Sequence, residues 1–237
     1  MPRRSVQKAP MGRMVLASAS PRRQELLEAA GIEFDVMPSA VKEQQRANET
    51  AAQFVRRIAA EKALDVLKRV ASEPPRPVLG ADTVVVVDGR TLGKPASPKE
   101  AKRMLRLLAG KQHRVLTGVC LAYAIPVPRG DARKIRKDVR IASTTVRFAP
   151  LSEKEIEEYV ATGEPMDKAG AYAIQGRASK FVERIEGCYF NVVGLPVSLV
   201  YQMLKDLQAA LEKRRVTREP RGRKKGRPTA LLLRKGR

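Results

Sequence analysis

The chain has 237 residues, 43% of them apolar, enough to bury a full core as one large domain or two small lobes. Its formal net charge is +22, but residues 1–13 hold four basic residues and no acid, and residues 212–237 hold twelve against Glu212 and Glu219. Most of the excess therefore lies in two tails, and the stretch Met1 to Met14 is basic without the apolar run of a secretory signal. No window approaches the roughly 18 uncharged apolar residues of a membrane span. Cys120 and Cys188 read as free thiols in a reducing cytoplasm. With His113 as the lone histidine, a zinc site or a Ser-His-Asp triad is hard to build, and chemistry falls to carboxylates, lysines and arginines.

Met14 to Ser18 reads as a short buried strand. Ser20 suits a helix N-cap, Pro21 the first helical position and Gly31 the end. Glu33 to Val36 is a second strand candidate. A long helix is expected from Thr50 to Val70, with Phe54, Val55, Ile58, Ala59, Val66 and Leu67 on its apolar face. Ser72 to Pro77 is a proline-rich loop. Val78 to Val87, apolar at nearly every position, reads as a central strand covered on both faces, and Asp88-Gly89 turns it into a hairpin through Leu92. Ser97 and Glu100 form a capping box around Pro98 for a helix stopping at Gly110, and Ser152 and Glu155 repeat it for a helix ending at Gly163. Between them come strands over Val115 to Ala124 and Val139 to Phe148, separated by a basic, proline-bearing excursion, Ile125 to Lys137. Residues 165–195 read as short strands and turns, and Val197 to Lys213 as a last helix. The tail beyond it is basic, rich in Pro and Gly and expected to be disordered. The order of elements indicates an α/β fold.

Ser18 to Arg23 (SASPRR) joins a strand to a helix N-terminus, where free N–H groups and the helix dipole favour an anion. Arg22 and Arg23 oppose that dipole, a local cost that makes sense if a polyphosphate sits at the turn. The plainer alternative is two solvated arginines on a surface helix. Asp82 lies inside VLGADTVVVV, where a carboxylate is expensive to desolvate unless it is paired, holds a cation or serves as a base; a structural bond to nearby backbone is the competing reading. Lys62 borders the apolar stripe of its helix and by itself reads as a snorkelling lysine. Lys94 by itself is an ordinary loop lysine, Glu43 carries no signal alone, and Gln175-Gly176 is a turn with an amide to offer. His113 is given no role. Phosphate-loop and dinucleotide fingerprints are absent.

Taken together, LASASPRRQELLEAAG (Leu16 to Gly31), Glu61-Lys62, GADTVV (Gly80 to Val85), GKP (Gly93 to Pro95), TGV (Thr117 to Val119), DKAGAYAIQG (Asp167 to Gly176) and VGLP (Val193 to Pro196) resemble the Maf family over residues 14–211. The resemblance implies an elongated α/β fold with a mixed sheet and a deep cleft between two lobes. The basic extension 1–13, the tail 212–237 and the excursion 125–137 lie outside the family pattern, and the resemblance says nothing about them. It implies hydrolysis of nucleoside triphosphates between the α and β phosphates with Mg²⁺ or Mn²⁺, and a homodimer in the cytoplasm. Carried over by position, Asp82 is the catalytic base and a metal ligand, and Glu43 an acid near the metal. Ser18, Arg22, Arg23, Lys62 and Lys94 line the phosphate path, and Gln175 belongs to the nucleotide wall. Arg22, Thr83 and Gln175 stand where a 7-methyl-GTP branch of the family has Trp, Gln and Glu, and they resemble the dTTP/UTP branch. Lys42 departs from the pattern, standing where relatives carry an acid beside Glu43.

A second class of function, nucleic-acid binding, rests on the tail PRGRKKGRP (Pro220 to Pro228), whose Gly-Arg-Pro resembles minor-groove hooks. A solvated basic extension is its alternative.

Overall fold

A computed structural model describes residues 13–70, 76–126 and 133–218. Seven strands form one open mixed sheet: β1 (Met14–Leu16), β2 (Phe34–Val36), β3 (Val78–Val87), β4 (Arg90–Leu92), β5 (Gln112–Pro126), β6 (Arg133–Phe148) and β7 (Val182–Glu186). Their order is β2-β1-β3-β5-β6-β7, with β4 folded back on β3. The β2-β1-β3 pairings are parallel and the remainder antiparallel.

Strand β3 is central, as its unbroken apolar run requires, and its alternation sorts the core. Leu79, Ala81, Val85 and Val87 face one side, where they join helices α1 (Pro21–Ala29), α3 (Pro98–Leu108), α4 (Glu153–Ala161) and α6 (Val197–Arg218). Val78, Val84 and Val86 face the other, against α2 (Ala51–Arg69). The α2 face is split into two apolar clusters. Between them along β3 and β5 lie Gly80, Asp82 and Gly118, with Asp82 paired to Gly118 across the strands.

Those glycines permit a close approach. A Cβ on Gly80 would stand 2.2 Å from the Ala59 carbonyl oxygen, and one on Gly118 2.2 Å from that of Val55. Helix α2 therefore lies against bare backbone of two strands, which presses Lys62 toward Asp82. Its start is fixed by a reciprocal capping box between Thr50 and Gln53 that the sequence reading had not singled out.

The box expected at Ser152 and Glu155 is present. At Ser97 only half forms: Ser97 accepts from the Glu100 N–H, while the Glu100 carboxylate takes the Ala96 N–H. Ser20 occupies the N-cap of α1 without a side-chain bond; Ser18 Oγ accepts the Ser20 N–H instead. The described ends of the expected excursion, Ile125–Pro126 and Arg133–Lys137, are strand, since β5 and β6 pair continuously from Gln112↔Arg147 to Pro126↔Arg133, and residues 127–132 lie outside the described residues. Cross-strand hydrogen bonding outweighs the turn signal of Pro126 at the end of a long hairpin. Residues 165–195 hold mainly 3₁₀ turns, with β7 and the short helix α5 (Tyr189–Val193). Helix α6 continues through Arg218, so residues 212–218 are helical rather than a disordered tail. The basic segment 1–12, most of the loop after Val70 and the Gly-Arg-Pro tail lie outside the described residues.

Candidate active site

A cavity of about 330 Å³ opens where the end of β1, the N-terminus of α1, the middle of β3 and the turns around residues 167–175 meet. That volume lies in the range of small-molecule sites. All nine residues singled out from the sequence line it.

At its floor is a three-membered charge cluster. Asp82 projects toward α2, as its place in the β3 alternation dictates, and is 4% exposed. Lys62 Nζ donates to Asp82 Oδ1 at 2.8 Å and to Glu43 Oε1 at 2.5 Å. Burial raises the Asp82 carboxyl above the ordinary aspartate range, against the pull of Lys62. Glu43 feels burial too, but Lys62, with help from Lys94 and Arg23, holds its carboxyl below the usual range.

Glu43 comes from an irregular loop that α2 clamps at both ends. Asp65 accepts from Ser39 Oγ and the Ala40 N–H, and Arg57 bonds Glu49 and the Gln44 carbonyl. Glu61, the first residue of the Glu61-Lys62 motif, completes the clamp by pairing with Arg57 and Arg46.

The opposite wall is built around Arg23, which is buried. Its Nε donates to the Gly194 carbonyl, Nη1 to Ser18 Oγ and the Ala81 carbonyl, and Nη2 to Thr83 Oγ1. Most of its five donors are thus committed to the protein, and Arg23 braces β1, β3 and the turn after α5. Burial draws its pKa down, with Asp82 and Glu43 opposing. Thr83 Oγ1 lies 3.0 Å from Thr117 Oγ1 and 3.3 Å from the Gly194 carbonyl oxygen.

Arg22 reaches the cavity and meets Asp167 at 3.5 Å. Lys168 also pairs with Asp167. Asp167 and Lys168 line the cavity although sequence reasoning gave them no role; the signal was their place at the head of DKAGAYAIQG. Lys94 is exposed at the rim. A backbone bond from the Gly170 N–H to the Gly93 carbonyl, 2.9 Å, ties its loop to that run. Gln175 is exposed at the same mouth, beyond Tyr172, Ala173 and Ile174.

Beneath the wall, His113 Nε2 lies 2.9 Å from Tyr172 Oη, and both rings meet Phe148 edge-on. Burial drops the His113 pKa to about 4. The histidine given no role is thus a neutral support under a cavity-lining tyrosine.

Among the described residues, no three His, Cys, Asp or Glu side chains converge as a metal cage. Glu43 and Asp82 supply two carboxylates on one ammonium. That is the donor set of a hard divalent cation that completes its shell with water and substrate phosphate, so the residues fit such an ion.

The family model described as Maf-like protein matches residues 13–207. This chain belongs to that family. A relative from Symbiobacterium thermophilum is 50% identical over 194 residues, 82% of this chain and 93% of its own length. One from Geobacillus sp. is 49% identical over 198 residues, covering 83% and 99%. One from Geobacter metallireducens is 51% identical over 197 residues, covering 83% and 97%. Each is named dTTP/UTP pyrophosphatase. In this Maf-like protein the motif glycines have a mechanical reading: Gly80 and Gly118 let α2 descend onto the sheet at the level of Asp82.

Proposed function

We propose that this Maf-like protein is a nucleoside triphosphate pyrophosphatase that hydrolyses dTTP and UTP to the monophosphate and pyrophosphate. The observation that carries the reading is one buried carboxylate, Asp82, at the floor of a cavity walled by Arg22, Lys62, Lys94 and Lys168. The names of the relatives give the substrate class.

In this reading the triphosphate enters along the cationic wall. Arg22 and Lys94 neutralise its oxygens, and the N-terminus of α1, with Ser18, adds backbone and hydroxyl donors. Arg23 holds Ser18, Thr83 and Gly194 in place and has one N–H left for substrate. Water attacks the α phosphorus, its proton passes to Asp82, and the bond from the α phosphorus to the bridging oxygen breaks with pyrophosphate leaving. Glu43 and Asp82 would hold a divalent cation, Mg²⁺ or Mn²⁺, which when bound offsets negative charge on the phosphates. Lys42 leaves that site one acid poorer than the family pattern. Arg22, Thr83 and Gln175 select the base, and the enzyme works as a cytoplasmic homodimer.

The test is pyrophosphate release from a panel of nucleoside triphosphates, modified bases included, with Mg²⁺ and with Mn²⁺. Preference for dTTP and UTP supports the reading. Preference for 7-methyl-GTP, or no release from any member, overturns it.

A further inference from the structure

Lys62 is in an unexpected state for a residue on a phosphate path. Its Nζ lies 2.5 Å from Glu43 Oε1, 2.8 Å from Asp82 Oδ1 and 3.4 Å from the Ala81 carbonyl oxygen. An ammonium has three N–H donors, and three protein acceptors take them. The side chain is only 8% exposed. None of its donors is left for a phosphate oxygen.

The two carboxylates it joins are those that fit a divalent cation. A hard cation seeks the same oxygens, so ammonium and metal compete for one place. The partners differ in freedom. Asp82 is fixed on the central strand, whereas Glu43 sits on an irregular loop with its side chain 42% exposed. Glu43 is therefore the partner that can be released.

We propose that Lys62 is a built-in counter-cation, which joins Glu43 to Asp82 in the substrate-free protein and gives up at least one of them before a divalent cation binds there. A polyphosphate arriving in the cavity supplies the replacement acceptor. Metal loading is thereby coupled to substrate, and the buried Asp82 always has a positive partner: the lysine when empty, the metal when loaded. Without such a partner two facing carboxylates would repel each other on a poorly solvated floor. The inference deepens the assignment above and shares its metal ligands.

The experiment is a Mn²⁺ titration of the full-length, nucleotide-free protein, with free Mn²⁺ read by electron paramagnetic resonance. Lys62→Gln is expected to bind Mn²⁺ on the order of tenfold or more tightly than wild type, because both carboxylates lose their competitor. Adding Glu43→Gln in that background is expected to abolish the gain. Lys94→Gln removes the same charge from the same cavity, but Lys94 makes no hydrogen bond to either carboxylate, so its gain is expected to be much smaller. Unchanged or weaker Mn²⁺ binding in Lys62→Gln, or an equal gain in Lys94→Gln, overturns the proposal. If Lys62→Gln does not fold, a crystal structure of wild type with Mn²⁺ and tripolyphosphate decides. Lys62 Nζ released from at least one carboxylate upholds the exchange, and Nζ still on both beside a bound ion refutes it. No nucleotide enters the titration, so its result stands apart from which triphosphate the enzyme prefers.

Discussion

Asp82, the base in the proposed reaction, weakens the fold by its burial. Its pKa is raised by burial, so the stability linked to its proton is present at low pH and lost as pH rises through the folded value. At neutral pH the ionised carboxylate is a burden that Lys62 only partly relieves. Asp82→Asn is expected to lower turnover by about 10²–10⁴-fold, the usual weight of a general base, while the melting temperature stays level or rises. Steady-state kinetics and a thermal scan read both, and full activity in the variant refutes the assignment. His113 works with the opposite sign. Its pKa is lowered from 6.5 to about 4, so its contribution is present above 6.5 and lost as pH falls through 4. The difference corresponds to about 3 kcal/mol. Denaturant melts at pH 7 and pH 4 are expected to show a smaller acid loss in His113→Phe than in wild type. An equal loss would place the acid sensitivity elsewhere.

At the scale of elements, the site depends on how near α2 comes to the sheet. Neither Gly80 nor Gly118 lines the cavity, yet a methyl group at either would meet α2 backbone at 2.2 Å. Helix backbone cannot swing away as a side chain can. Gly118→Ala is expected to destabilise the protein by about 3 kcal/mol or more and to reduce turnover in whatever fraction remains folded, because Lys62 moves with α2. A variant with wild-type stability would show that the helix can lift at no cost. This scale also marks what the sequence makes legible. Helices α1 and α4 are legible through Pro21 and Ser152, α2 through its apolar stripe and β3 through its apolar run, because caps and burial are local or periodic signals. The hairpin of β5 and β6 did not, since its far end is held by cross-strand bonds that Pro126 and a row of charged residues conceal. Asp82, Arg22 and Lys94 were weak as single residues and gained meaning only through the family's ordered motifs. The inward commitment of Arg23, the Lys62 bridge and the roles of Asp167 and Lys168 depend on tertiary distances, which no local pattern encodes.

For the molecule as a whole, the charge is divided between a catalytic body and its extensions. Residues 219–237 carry eight basic residues against Glu219, and helix α6 is described through Arg218. Deleting 219–237 is expected to leave pyrophosphate release intact and to weaken salt-sensitive retention on DNA. Loss of both together would tie the tail to the active site.

The central claim is that residues from distant segments converge to direct water onto the α phosphorus of a pyrimidine triphosphate. Hydrolysis of dTTP in ¹⁸O-water, with the products analysed by mass spectrometry, tests it most directly. The expected result is dTMP carrying one ¹⁸O beside unlabelled pyrophosphate; dTDP with ¹⁸O in inorganic phosphate would contradict it.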